Sequence, residues 1–340
     1  MEENNSTMSD YIMINNYRES KKMLSELEVH MTNYRHSVRF TRGEINDDLL
    51  NSVVGKTWDL DDTGVTFKNS FEYGDKVIFA LETFSEDRCY INEYQSKFIE
   101  QVNVEGSKIQ RFSVSSTNDM CVADNGDVYF TDYRNKSISC LSPSGSVSTV
   151  GSTGPLTPIG ICQSVDGGLM VTLRDKESDR YKLQSHSRRL VRHTTVTGDV
   201  IYEYEYKEDG QTRLFTRPTR LTQNSNSDIC VANHKSHSTG EIVIMSPSGH
   251  VKSVYRGQNL TEDFRLIDVV CDSLCNILVT DRNNKQIHLL CHDGDFLKFL
   301  LTENEVNHPS RSSLYKWWDS LKDLSKCFKI DDKTYEVHKY

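Results

Sequence analysis

Short apolar runs rich in β-branched and aromatic residues recur along the chain, as Val128-Tyr129-Phe130, Leu169-Met170-Val171, Ile229-Cys230-Val231 and Ile277-Leu278-Val279. Strands this apolar on both faces belong where sheets stack on one another. Ahead of three of them lies a second short run, at 120–122, 160–162 and 268–271, joined by turns such as Asp124-Asn125-Gly126. Behind them an aliphatic residue is followed seven positions later by Gly, as Ile99/Gly106, Ile138/Gly145, Val191/Gly198, Ile242/Gly249 and Ile287/Gly294. A more polar strand follows the Gly, for example at 147–150, 200–206, 251–255 and 296–301.

Two units match closely. Asp132–Gly145 and Asp281–Gly294 each place Asn three residues after Asp, Lys next, and Ile six after the Asp. Asp331 to Val337 repeats the spacing from Asp to aliphatic residue, and the aliphatic positions 99, 138, 191, 242, 287 and 337 are separated by 39, 53, 51, 45 and 50 residues. Four strands in a unit of this length form a propeller blade. The pattern therefore predicts an all-β, six-bladed β-propeller whose sixth blade is completed by a strand around Val65–Asn69. That blade is the least regular, because Leu314, Trp317, Trp318, Leu321 and Leu324 have helical spacing.

The Asp-Gly turn, the apolar strand ending in Asp, and the Asn-Lys and Ile before a second Gly resemble NHL repeats. They are similar to the six-bladed NHL propeller of tripartite-motif proteins. The resemblance spans roughly residues 65–340; the unit holding Leu173 departs from it by lacking the Asp and carrying an insertion. Trp58-Asp59 and Trp318-Asp319 do not sit at blade ends, so a WD40 propeller fits poorly.

Ahead of the repeats, residues 10–36 read as heptads with Tyr17, Leu24 and Met31 at a, and Met13, Leu27 and Tyr34 at d, interrupted by Asp10 and Ser20. The expected organisation is a disordered tail over 1–9, a coiled-coil-like helix over 10–36 able to form a homodimer, a linker over 37–63 and the propeller over 64–340. An amphipathic helix packed on its own propeller is the alternative for 10–36. The resemblance makes the stretch from Ser37 to Ile45 the linker between coiled coil and propeller, and places RING and B-box zinc modules upstream. Residues 1–88 contain no cysteine to build them. The expectation is a chain that is not itself a ubiquitin ligase or any other enzyme, but binds a substrate for one.

Composition narrows the classes. The 340 residues are 36% hydrophobic and 26% charged, with a net charge of −9, so attraction to nucleic acid or an anionic membrane requires a local patch. No apolar run approaches the ~18 residues of a membrane helix. The N-terminus lacks signal-peptide character, and nine scattered cysteines suit a reducing compartment. A cytoplasmic protein without membrane contact is expected.

Candidate chemistry is sparse, and no cofactor is expected. Cys271, Cys275, Cys291 and His292 have zinc-like composition, but they fall on repeat strands and turns. His234 and His237 read as solvated loop histidines. Asp132 and Asp281 recur at one repeat position and read as structural, bonding to their own loops. A metal-dependent propeller hydrolase or lyase would need acidic or His side chains converging on the central channel.

The binding face is more informative. Loops from second to third strand and from one blade to the next open on the same face. They carry Arg134, Lys136, Arg174, Lys176, Arg188, Arg189, Arg192, Arg217, Lys235, Arg282 and Lys285. In the insertion, residues 174–193 hold seven Arg or Lys against Asp175, Glu177 and Asp179, a local balance of +4. This reads as a basic face for a protein partner; the alternatives are an RNA-binding regulator and an ordinary solvated rim.

Overall fold

The computed structural model describes residues 31–34, 37–40 and 78–301, apart from 86, 104, 259–261 and 273. In the N-terminal unit, β1 (Met31–Tyr34) and β2 (Ser37–Phe40) form an antiparallel hairpin. Met31 and Tyr34, the last a and d positions of the heptads, are thus in a strand and not a helix. Thr32, Val38 and Phe40 supply the β-branched and aromatic residues that favour this pairing. The rest of the 10–36 segment, the remaining linker, the closing strand near Val65 and the sixth repeat lie outside the described residues.

The second unit contains five antiparallel four-stranded blades. Blade I is β3 (Ile78–Ser85), β4 (Arg88–Glu93), β5 (Phe98–Asn103) and β6 (Lys108–Ser113). Blade II is β7 (Met120–Val122), β8 (Val128–Asp132), β9 (Ser137–Leu141) and β10 (Val147–Ser152). Blade III is β11 (Thr157–Gln163), β12 (Leu169–Arg174), β13 (Arg189–Thr194) and β14 (Val200–Tyr204). Blade IV is β15 (Pro218–Gln223), β16 (Ile229–His234), β17 (Gly240–Met245) and β18 (Val251–Tyr255). Blade V is β19 (Leu266–Cys271), β20 (Ile277–Asp281), β21 (Gln286–Leu290) and β22 (Phe296–Leu301). Successive blades pack through their first strands, which line a common channel. The fold is an all-β propeller.

The apolar runs become the second strands, and their two faces are buried between neighbours. Val171 and Leu173 join Tyr129 and Ile138 between blades II and III. Ile229 and Val231 join Met170 and Val191 between III and IV, and Ile277 and Val279 join Cys230 and Ile242 between IV and V. The recurring Gly has an equally local cause. Gly106, Gly145, Gly198, Gly249 and Gly294 all have φ between 79° and 93°, in the turn from third to fourth strand. Only glycine occupies that region without strain.

Polar residues fasten the blades. Thr131 Oγ1 donates to the Ile159 carbonyl at 3.3 Å, and Thr172 Oγ1 to the Thr219 carbonyl at 2.7 Å, each time reaching the first strand of the next blade. One residue further on, a carboxylate or amide clamps the chain entering its own blade. Asp132 accepts from Ser116 at 2.8 Å, Asn233 Oδ1 from the Thr216 and Arg217 N–H groups at 2.9 Å, and Asp281 Oδ1 from the Arg265 N–H at 3.2 Å. Asp132 and Asp281 also cap their own turns through Asn135 and Asn284. The Lys that follows this Asn, Lys136 or Lys285, takes the left-handed conformation at φ 50° or 51°. The Asp-Asn-Lys pattern is therefore a turn and clamp.

Candidate functional site

The first strands of blades III, IV and V are bulged, with a register shift between Pro158 and Ile161, Pro218 and Leu221, and Leu266 and Val269. A bulge re-aims a side chain. By register, Gly160, Arg220 and Asp268 share this position with Asp119. A Cβ on Gly160 would lie 2.0 Å from the Thr219 carbonyl, so blades III and IV meet backbone to backbone there. The channel cavity, about 160 Å³, is lined by the charged residues Glu82, Asp119, Arg220 and Asp268 among apolar and uncharged polar neighbours. Arg220 lies inside the channel. It pairs with Asp119, and its Nη2 donates to the Phe79 carbonyl at 2.9 Å and the Asn118 carbonyl at 3.2 Å. One guanidinium thus joins blade IV to blades I and II.

Burial in the channel pushes the Asp268 carboxyl up to about 6, against the opposing pull of Arg220. Its folded value lies above the unfolded one, so between about pH 4 and 6 the folded state holds a proton that the unfolded state has lost. The contribution to stability therefore declines as pH rises through 6, by up to about 3 kcal/mol. We expect Asp268→Asn to gain stability relative to the parent between pH 5 and 7.5 in thermal melts. A difference that does not change with pH would refute this.

Around the mouth of the channel, the repeat register aligns a second set of residues. Arg174, His234 and Arg282 each follow the clamp position, occupied by Leu173, Asn233 and Asp281. Arg217 and Arg265 each directly precede a first strand, and each lies 16 residues before its clamp residue. The backbone joins the two sets, since the His234 N–H donates to the Arg217 carbonyl at 3.0 Å and the Arg282 N–H to the Arg265 carbonyl at 2.9 Å. Arg217 Nη1 donates to Tyr181 Oη at 3.0 Å, with its guanidinium 5.4 Å from the ring centre, while its Nε is buried without a partner.

The charges in this rim act on one another. Burial, then Arg217, Arg180 and Arg189, pull Arg174 down to about 10. Burial lowers Arg217 and Arg265 as well, the latter also through Arg282. His234, expected as a solvated loop residue, is half-buried at the end of β16. Burial, then Arg217 and Arg265, lower it to about 4, so its imidazole is neutral at pH 7.

Three residues placed on the basic face are not free. Arg189 is 1% exposed: its Nη1 donates to Asp175 Oδ2 at 2.6 Å, and its other donors reach the Asp175, Asp179 and Thr216 carbonyls at 2.9–3.2 Å. Arg188 pairs with Glu203 and Glu205, and Arg192 with Glu203. The balance of +4 over the insertion omitted these glutamates, which come from β14 and the residue after it. Lys235 is exposed and lies 3.6 Å from Glu241. Arg134 and Lys176 are exposed, while Lys136 and Lys285 are half-buried in their turns. Arg174, Arg217 and Arg282 remain in the rim, joined by Arg265, which the sequence reading missed.

The zinc-like set is not assembled. Cys271 lies beside Cys230 at 3.8 Å, Cys275 sits in a turn at φ 64°, and Cys291, His292 and Asp293 adjoin one another as consecutive turn residues. The eight described cysteines are free thiols. No helix among the described residues is long and apolar enough to cross a membrane.

The architecture defines the class as a β-propeller protein. Neither a family model nor a curated protein matches the sequence. Solved structures do match. Virginiamycin B lyase from Staphylococcus aureus, with quinupristin, is 15% identical at a TM-score of 0.51 over 69% of this chain and 73% of that one. A gluconolactonase from Xanthomonas campestris is 11% identical at 0.52 over 70% and 79%. At these identities the likeness establishes the fold and not the chemistry.

Proposed function

We propose that this chain is a non-enzymatic interaction module of the tripartite-motif NHL type, acting in the cytoplasm as an adaptor that binds a protein partner on the arginine rim. The observation that carries this is the recurrence of cations at equivalent repeat positions on blades III to V. They make no ion pairs among the described residues, in a chain whose net charge is −9. In this reading residues 302–340, with a strand near Val65, supply a sixth blade, and a ubiquitin-ligase partner is acquired elsewhere.

The test is affinity capture with the full chain and with Arg174→Gln/Arg282→Gln, in parallel with and without nuclease. Proteins held by the parent should be released by salt, should survive nuclease, and should be depleted about tenfold on the variant. Capture unchanged by the substitutions would remove the reading. Loss on nuclease treatment would replace it with an RNA-binding regulator.

A further inference from the structure

Apart from the exposed Arg134, the described arginines of the propeller outside the rim each meet a carboxylate. Arg188, Arg189, Arg192, Arg213, Arg220 and Arg256 each lie against Asp119, Asp175, Glu203, Glu205 or Glu241. Arg174, Arg180, Arg217, Arg265 and Arg282 have no such partner among the described residues, although Arg174, Arg217, Arg265 and Arg282 are half-buried. Burying cations together without counter-charge is costly unless a ligand supplies it. The cost is built into the frame, because Asn233 and Asp281 hold the backbone N–H groups of Arg217 and Arg265.

We propose that Arg174, Arg217 and Arg265, with Arg180 and Arg282 beside them, bind a phosphoryl dianion carried on a protein partner. This rests on the interaction-face reading above and specifies its ligand. A glutamate or aspartate neutralises one guanidinium, whereas a phosphate monoester brings nearly two charges and three acceptor oxygens, which the planar forks of several arginines match. The buried Nε of Arg217 is a donor in need of such an acceptor. Nucleic acid fits less well. Tyr181, which these arginines contact, is engaged by Arg217 at its hydroxyl and on one face, and a single partly engaged ring is a poor stacking platform for successive bases. His234 reports on occupancy, since burial and then Arg217 and Arg265 lower its pKa, and a bound anion screens the contribution of the two cations.

The experiment uses the full chain with three fluorescent degenerate peptide libraries that differ only at a fixed phosphoserine, serine or glutamate. Inorganic phosphate and poly-U serve as competitors. The phosphoserine library should bind about tenfold more tightly than the glutamate library. Inorganic phosphate should compete at millimolar concentration, and phosphate should shift the His234 ring resonance. Arg217→Gln/Arg265→Gln should abolish the preference, and Arg217→Lys/Arg265→Lys, which keeps the charge and loses the forks, should reduce it. The Lys pair also guards against misfolding of the Gln pair, and Arg88→Gln, at an exposed position on blade I, should bind as the parent does. Equal binding of the glutamate and phosphoserine libraries overturns the proposal, as does an unchanged preference in the Gln pair or displacement by poly-U ahead of phosphate. If partner capture still depends on Arg174 and Arg282 while the phosphate preference is absent, this inference alone fails; if neither depends on the rim, both fail.

Discussion

Replacing Arg220 with Met should lower the stability of the propeller by about 3–5 kcal/mol, the cost of leaving one member of a buried ion pair without the other. In a domain of this size that is a fall of roughly 10 °C in melting temperature. The side chains of Arg220 and Asp119 are 11% and 13% exposed, so solvent cannot take the lost partner's place. The substitution also strips the Phe79 and Asn118 carbonyls of a donor and removes the link from blade IV across the channel. Adding Asp119→Asn should restore part of the loss. It deletes the stranded charge while keeping a carbonyl oxygen for the Ile161 N–H, which Asp119 accepts at 3.0 Å. A single variant as stable as the parent, or a double variant no better than the single one, would show that the pair does not hold the ring.

The second large effect separates adjacent residues. Arg189→Glu should cost more than about 4 kcal/mol, because it sets a buried carboxylate against Asp175 and leaves several carbonyls without donors. Arg188→Glu should cost about 1 kcal/mol, since Arg188 is 41% exposed and Glu203 and Glu205 keep Arg192 and Arg213 as partners. Urea unfolding of both variants checks this. Equal losses would mean that the insertion is not pinned through Arg189.

The fold is most legible in the sequence where one residue type has one physical use. The left-handed Gly of the turn from third to fourth strand, the double-faced apolar second strand and the clamping Asp are each dictated locally, so their spacing located the five described blades. The channel was illegible for the opposite reason. Its chemistry sits at a first-strand position that holds Asp119 and Asp268 in two blades but Gly160 and Arg220 in two others, so no single residue type marks it. Charge counted along contiguous sequence also misled at Arg188, Arg189 and Arg192, whose partners lie across a strand or in the fold of the insertion. Arg265 was within reach, because its interval of 16 residues to Asp281 equals that from Arg217 to Asn233. The residues from 31 to 34 were misread because three heptads carry too little periodic signal to outweigh local strand pairing.

The pinning of Arg189 bears on how such a propeller diversifies. Its contacts reach Asp175 and Asp179 within the insertion and the Thr216 carbonyl at the entrance to the next blade, while Arg188 and Arg192 lean on the adjoining β14 segment. The insertion is therefore not a detachable loop. Grafted alone onto another propeller, it would leave a buried guanidinium without its acceptors. The smallest transferable piece is the whole of blade III with the connection into blade IV, and a new specificity on this face has to be gained by changing residues within that block.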